Sequence, residues 1–169
     1  MTISLYAASV PAFKQMLGAM DTVLGKAEQH ATARKIDPNA LLHARLFPDM
    51  YPLTVQVQIA CDFARGVSAQ LAGVDVPKYD GKEQSFADLH ALIGKTVAFI
   101  DGIKPSQIDG QEDRVVTIHV GRPNERKLAG QAYLLTFGLP QFYFHVTTFY
   151  AILRHSGVEI GKRDFMGRY

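Results

Sequence analysis

The stretch FHVTTFYAILRHSG, residues 144–157, decides the fold. His145, Phe149 and Ile152 recur at the spacing of one helix face, and Gly157 is a natural helix C-cap. A lone histidine among large apolar residues can hold a metal, act on a substrate or pack. The helix extends backward to about Gln131, so it runs from Gln131 to His155. Pro140 lies inside it and is expected to break or kink the hydrogen-bond ladder locally.

Three more segments show the same periodicity. The first runs from about Leu5 to Arg34, with Phe13, Leu17, Met20 and Leu24 on one face. Pro11 must either bend this helix or mark its true first turn. A linker with a short helical turn after Pro38 follows. The second long helix begins near Pro52, shows a stripe of Leu53, Val57, Ala60, Ala64, Val67 and Leu71, and stops at Gly73. The third opens on SFAD, where Ser85 and Asp88 have capping-box spacing, and ends near Gly102.

Between Arg114 and Leu128 the period changes to two. RVVTIHV places Val116, Ile118 and Val120 on one side and Val115, Thr117 and His119 on the other, and GRPN reads as a turn. Four long helices with one hairpin between the third and fourth predict an all-α four-helix bundle, a single domain over residues 1–169.

A chain of 169 residues, 47% hydrophobic and 20% charged, suits one core of ordinary size. Its net charge of +2 is small and dispersed, so no nucleic-acid partner is expected. MTISLYAASVPAF lacks a basic n-region and a long apolar core, so no secretory signal is expected. No apolar run reaches the ~18–20 residues of a membrane span. These features predict a cytoplasmic protein. Cys61 is the only cysteine, which excludes an intramolecular disulfide and a cysteine-based zinc cluster. Walker, dinucleotide, nucleophile-elbow and HExxH motifs are absent.

The HVTTFYAILRHSG stretch resembles the last helix of the DinB/YfiT-like putative metalloenzymes, where an arginine follows a histidine by nine positions and a glycine comes after. Those positions are His145, Arg154 and Gly157. The fuller stretch FHVTTFYAILRHSGVEIGKRDFMG, with PDMYPLTVQVQIACDFARG at 48–66, resembles a bacterial family of unknown function within that superfamily. The resemblance implies an up-down-down-up bundle, often a homodimer. It also implies kinship with metal-dependent, thiol-using transferases and with hydrolases, whose metal is held by one histidine on the second helix and two on the fourth, four residues apart.

His145 matches the second member of the fourth-helix pair, and Gln141 occupies the first position. The second-helix position falls on Gln56 or Gln58. At about 100° per residue, Gln56 lies roughly 40° from Ala60 and Gln58 roughly 160° away, so Gln56 is the inward one. Amides are weak ligands for zinc or nickel, so neither divalent metal is expected to bind tightly, and no other cofactor is indicated. Gln56, Gln141 and His145 either satisfy one another inside the bundle or orient a small-molecule ligand. Tyr6, Tyr143 and Thr148 are additional polar candidates.

His90, at the edge of the third helix's apolar face, is the candidate for an extra metal ligand, against a packing role. His43, His119, His30 and His155 read as linker, hairpin and helix-end residues, and Cys61 as a packing residue off the core stripe. In the GKRDFMG tail, Phe165 is expected to fold onto the bundle and Asp164 to pair locally; a rim around a pocket is the alternative. The leading expectation is a DinB-like bundle with a degenerate metal site, small-molecule-binding or structural. The alternative is a metal-dependent transferase or hydrolase using His145.

Overall fold

The computed structural model describes residues 3–169. Met1 and Thr2, the start of the stretch read above as lacking a secretory signal, lie outside the described residues. In chain order the elements are α1 (Val10–Arg34), α2 (Pro38–Leu42), α3 (Leu53–Ala72), α4 (Phe86–Asp101), α5 (Pro105–Ile108), β1 (Val115–Ile118), β2 (Arg126–Ala129), α6 (Gly130–Tyr133), α7 (Leu139–His155) and α8 (Lys162–Met166). A π-helical turn, Leu134–Gly138, joins α6 to α7.

Contacts between the four long helices give their directions. Asp21 meets His90 while Lys14 meets Asp101, so α1 and α4 run antiparallel. Gln56 meets His145 while Phe63 meets Phe137 one step before α7, so α3 and α7 are antiparallel too. Phe13 packs edge-on against Phe142, and farther along the same helices Met20 lies beside Phe149. Helices α1 and α7 are therefore parallel, and it follows that α3 and α4 share the other direction. This is the up-down-down-up bundle. Its parallel central pair requires the long crossover of residues 73–85.

The apolar stripes meet on the bundle axis, where Phe13, Phe142, Phe149, Leu17, Leu53 and Leu89 are fully buried. The capping box that opens α4 is complete: Ser85 Oγ accepts from the Asp88 amide at 3.1 Å, and Asp88 Oδ2 accepts from the Ser85 amide at 3.0 Å. No helix among the described residues is long and apolar enough to cross a membrane.

Three expectations need correction. Helix α1 starts at Val10 rather than Leu5, with Pro11 in its first turn, because a proline there forfeits no intrahelical bond. The local departure from the α-type ladder expected at Pro140 is present, and the helix continues beyond it. The π turn just before it widens the helix by one residue, which accommodates a ring that has no N–H to give.

Cys61 is fully buried instead of off the core. Helix α3 packs against α7 on one side and α4 on another, so its buried surface is far wider than a single stripe. The hairpin pairs Val116 with Leu128 and Ile118 with Arg126, but β1 ends at Ile118. His119 then takes a left-handed conformation, φ 54°, which ends the alternation; Val120 is 72% exposed and His119 is half-buried.

The tail returns to the bundle as α8. Phe165 packs edge-on against Tyr150 with ring centroids 5.5 Å apart. Asp164 caps the Gly161 amide locally at 2.8 Å, and its other oxygen reaches across to Lys26 of α1 at 2.6 Å. The pairing is therefore tertiary as well as local.

Candidate functional site

The fourth-helix histidine points into the bundle. His145 is 7% exposed and Gln56, facing it from α3, is 1% exposed. The His145 Nδ1 and Gln56 Oε1 atoms are 2.7 Å apart. The amide is oriented by its other end, since Gln56 Nε2 donates to the Tyr51 carbonyl at 3.0 Å. With its oxygen thus turned to the ring, Gln56 accepts, and His145 Nδ1 carries the proton. The ring's Nε2 holds the lone pair and makes no hydrogen bond among the described residues. Burial lowers the His145 pKa from the ordinary histidine value, which favours this neutral form.

Two aromatic side chains frame the imidazole. Phe63 lies nearly parallel to it, with centroids 6.1 Å apart and planes 14° apart, and Phe144 meets it edge-on at 5.2 Å. Phe63 is a site residue that the sequence reading missed. It shares the Gln56 side of α3, seven residues on, and falls within the 48–66 stretch, but an apolar ring there reads as core packing.

The remaining candidates do not join this pair. Gln141, one turn before His145 on α7, is half-buried and has no hydrogen bond to His145 or Gln56. Gln58 is on the outer side of α3, where it donates to Glu83 at 2.7 Å, as its helical phase predicts. His90 is half-buried between α4 and α1, with Nδ1 2.5 Å from Asp21 Oδ1. Its partner is on a different face of the bundle from the helix pair that carries Gln56 and His145. Thr148 donates to the Phe144 carbonyl of its own helix at 2.8 Å. Tyr143 is exposed, and Tyr6 is held through its backbone amide by Asp109 at 2.8 Å.

A family model described as a domain of unknown function, DUF1993, matches residues 5–166. The chain belongs to the DUF1993 family. Among solved structures, it is similar to a DinB family member from Shewanella denitrificans: 35% identity, 98% of this chain and 93% of that chain covered, and a TM-score of 0.90. No curated protein matches the chain. A DinB-like bundle within a family of unknown function is thus what the residues, the fold and the relatives share.

That family resemblance implies a metal, and the donors of this DUF1993 chain do not fit one. The three positions carry two amides and one imidazole, and one amide oxygen is already committed to the imidazole N–H. Among the described residues, no three His, Cys, Asp or Glu side chains gather so as to hold a metal ion. A zinc or nickel ion would need at least two more strong donors beside His145.

Cys61 is no nucleophile in this setting. Burial pushes its thiol up to about 12, outweighing the hydrogen bond from Thr96. It packs between α3 and α4.

Proposed function

We propose that this protein is a small-molecule-binding DinB-like bundle in which a satisfied Gln56–His145 hydrogen bond stands where the family resemblance places metal ligands. The observation that carries the reading is the 2.7 Å contact from His145 Nδ1 to an amide oxygen oriented by the Tyr51 carbonyl. An imidazole held this way keeps a fixed tautomer and presents Nε2 as a hydrogen-bond acceptor beside Gln141, its neighbour at the i, i+4 spacing. Such a pair orients a ligand bearing a donor and stabilises the bundle when no ligand is bound.

The metal-dependent transferase or hydrolase reading draws less support, because His90, the extra ligand it named, faces Asp21 of α1 while His145 faces Gln56 of α3. The reading also extends to a homodimer, the assembly the resemblance implies; sedimentation should then give twice the mass of one chain. The deciding experiment is elemental analysis of untagged protein after exposure to zinc and nickel. Less than stoichiometric metal, unchanged by His145→Ala, is expected. Near-stoichiometric zinc or nickel that disappears with His145→Ala would overturn the proposal.

A further inference from the structure

Phe63 also lines a cavity of about 310 Å³ between α3 and the hairpin. Its size is that of a small ligand pocket. Three aromatic rings wall it. Phe137, from the π turn, meets Phe63 edge-on at 5.9 Å and Tyr133 nearly parallel at 5.8 Å. His119 also lines it, its ring edge-on to Phe137 at 5.7 Å, directed there by its left-handed backbone. The π turn and the positive-φ histidine, two uncommon backbone features, thus both shape this one cavity.

The lining carries one formal charge, the Asp62 carboxylate, and Arg65 beside the cavity offsets part of it. No lysine or arginine among the described residues lines the cavity itself. Arg65 takes one Asp62 oxygen, Oδ1, at 2.5 Å and turns its guanidinium onto the Tyr79 ring, 3.9 Å away. Asp62 Oδ2 accepts no hydrogen bond among the described residues, and the side chain is 58% exposed at the cavity edge. Aromatic faces attract a cation, and a free carboxylate oxygen receives its N–H.

We propose that this cavity binds a small organic cation, a protonated amine with an apolar or aromatic body, the ammonium at Asp62 and the body between Phe63, Tyr133 and Phe137. The assignment names the ligand class for the small-molecule reading above and rests on it.

The test compares three probes of one shape by NMR titration: phenethylamine, 2-phenylethanol and phenylacetate. Phenethylamine should shift the resonances of Phe63, Phe137 and His119, and it should bind about tenfold more tightly than the alcohol, with phenylacetate weakest. Asp62→Asn should bring the amine down to the level of the alcohol. Gly66→Leu is the second variant: Gly66 lines the cavity, and an added Cβ there meets nothing within 4 Å. It should abolish binding of all three probes while the thermal unfolding midpoint is kept. If the alcohol or phenylacetate binds as tightly as the amine, the cation assignment falls and small-molecule binding stands. If none of the probes moves those resonances, or neither variant weakens the amine, the cavity is not the ligand site. Metal analysis judges the reading of His145 separately.

Discussion

Phe63 lies nearly parallel to His145, with centroids 6.1 Å apart, and also lines the cavity between α3 and the hairpin. One ring is therefore shared by a buried hydrogen-bonded pair and an aromatic hollow. The relationship follows from the helix. Phe63 is seven residues after Gln56, two turns along the same side of α3, while His145 reaches across from antiparallel α7.

The Gln56–His145 bond should show itself as coupling. Gln56→Leu keeps most of the volume but leaves the Nδ1–H buried without an acceptor, at a cost of about 1–3 kcal/mol. His145→Phe strands the Gln56 oxygen in the same way. Replacing both should cost less than the sum, by about 0.5–3 kcal/mol in a double-mutant cycle of urea unfolding. Strictly additive losses would mean that the two side chains do not bond.

The pH dependence has a definite sign. Burial lowers the folded-state pKa of His145 below the ordinary value, so below roughly pH 6.5 the unfolded chain takes up a proton that the folded chain resists. The contribution is intact above that pH and is lost as pH falls through the folded value. Unfolding free energy should therefore decline on acidification below neutrality, and His145→Gln should flatten that part of the curve. An imidazole Hε1 resonance titrating at or above the ordinary histidine value would contradict the burial.

The bundle was legible because each of its long helices carries a regular stripe, and Ser85 and Gly157 mark boundaries with local chemistry. Helical phase also separated inward Gln56 from outward Gln58. What escaped detection depended on tertiary neighbours. Cys61 is buried because α3 has partners on two sides, which a single-stripe reading cannot represent. His119 faces inward through one left-handed residue that has no glycine to announce it. Gln141 shares a helix face with His145, yet a shared face ensures proximity to the axis and not a hydrogen bond.

Cys61 should be inert in the folded protein. Its thiol is fully buried and pushed up to about 12 by that burial, so the thiolate is scarce at pH 8. A disulfide reagent should titrate no thiol in the native state and one per chain in denaturant, consistent with the single cysteine. Native labelling should proceed only at the rate of unfolding. Stoichiometric labelling within seconds would place the thiol at the surface.

Gly138 tests the approach of α7 to α3. A Cβ at this position would sit 2.8 Å from Val67 Cγ2 and 3.1 Å from Cγ1. Val67 is fully buried and β-branched, so its χ1 is stiff and it yields to the new methyl only at a cost. In an open helix, Gly→Ala stabilises by roughly 0.5–1 kcal/mol. Overpacking costs about 1–3 kcal/mol and should win here. Gly138→Ala should therefore lower the urea midpoint in the native background. With Val67→Ala the clash is gone, and the same substitution should then be neutral or stabilising. A rise in stability for Gly138→Ala beside native Val67 would show that the two helices stand farther apart than this geometry requires.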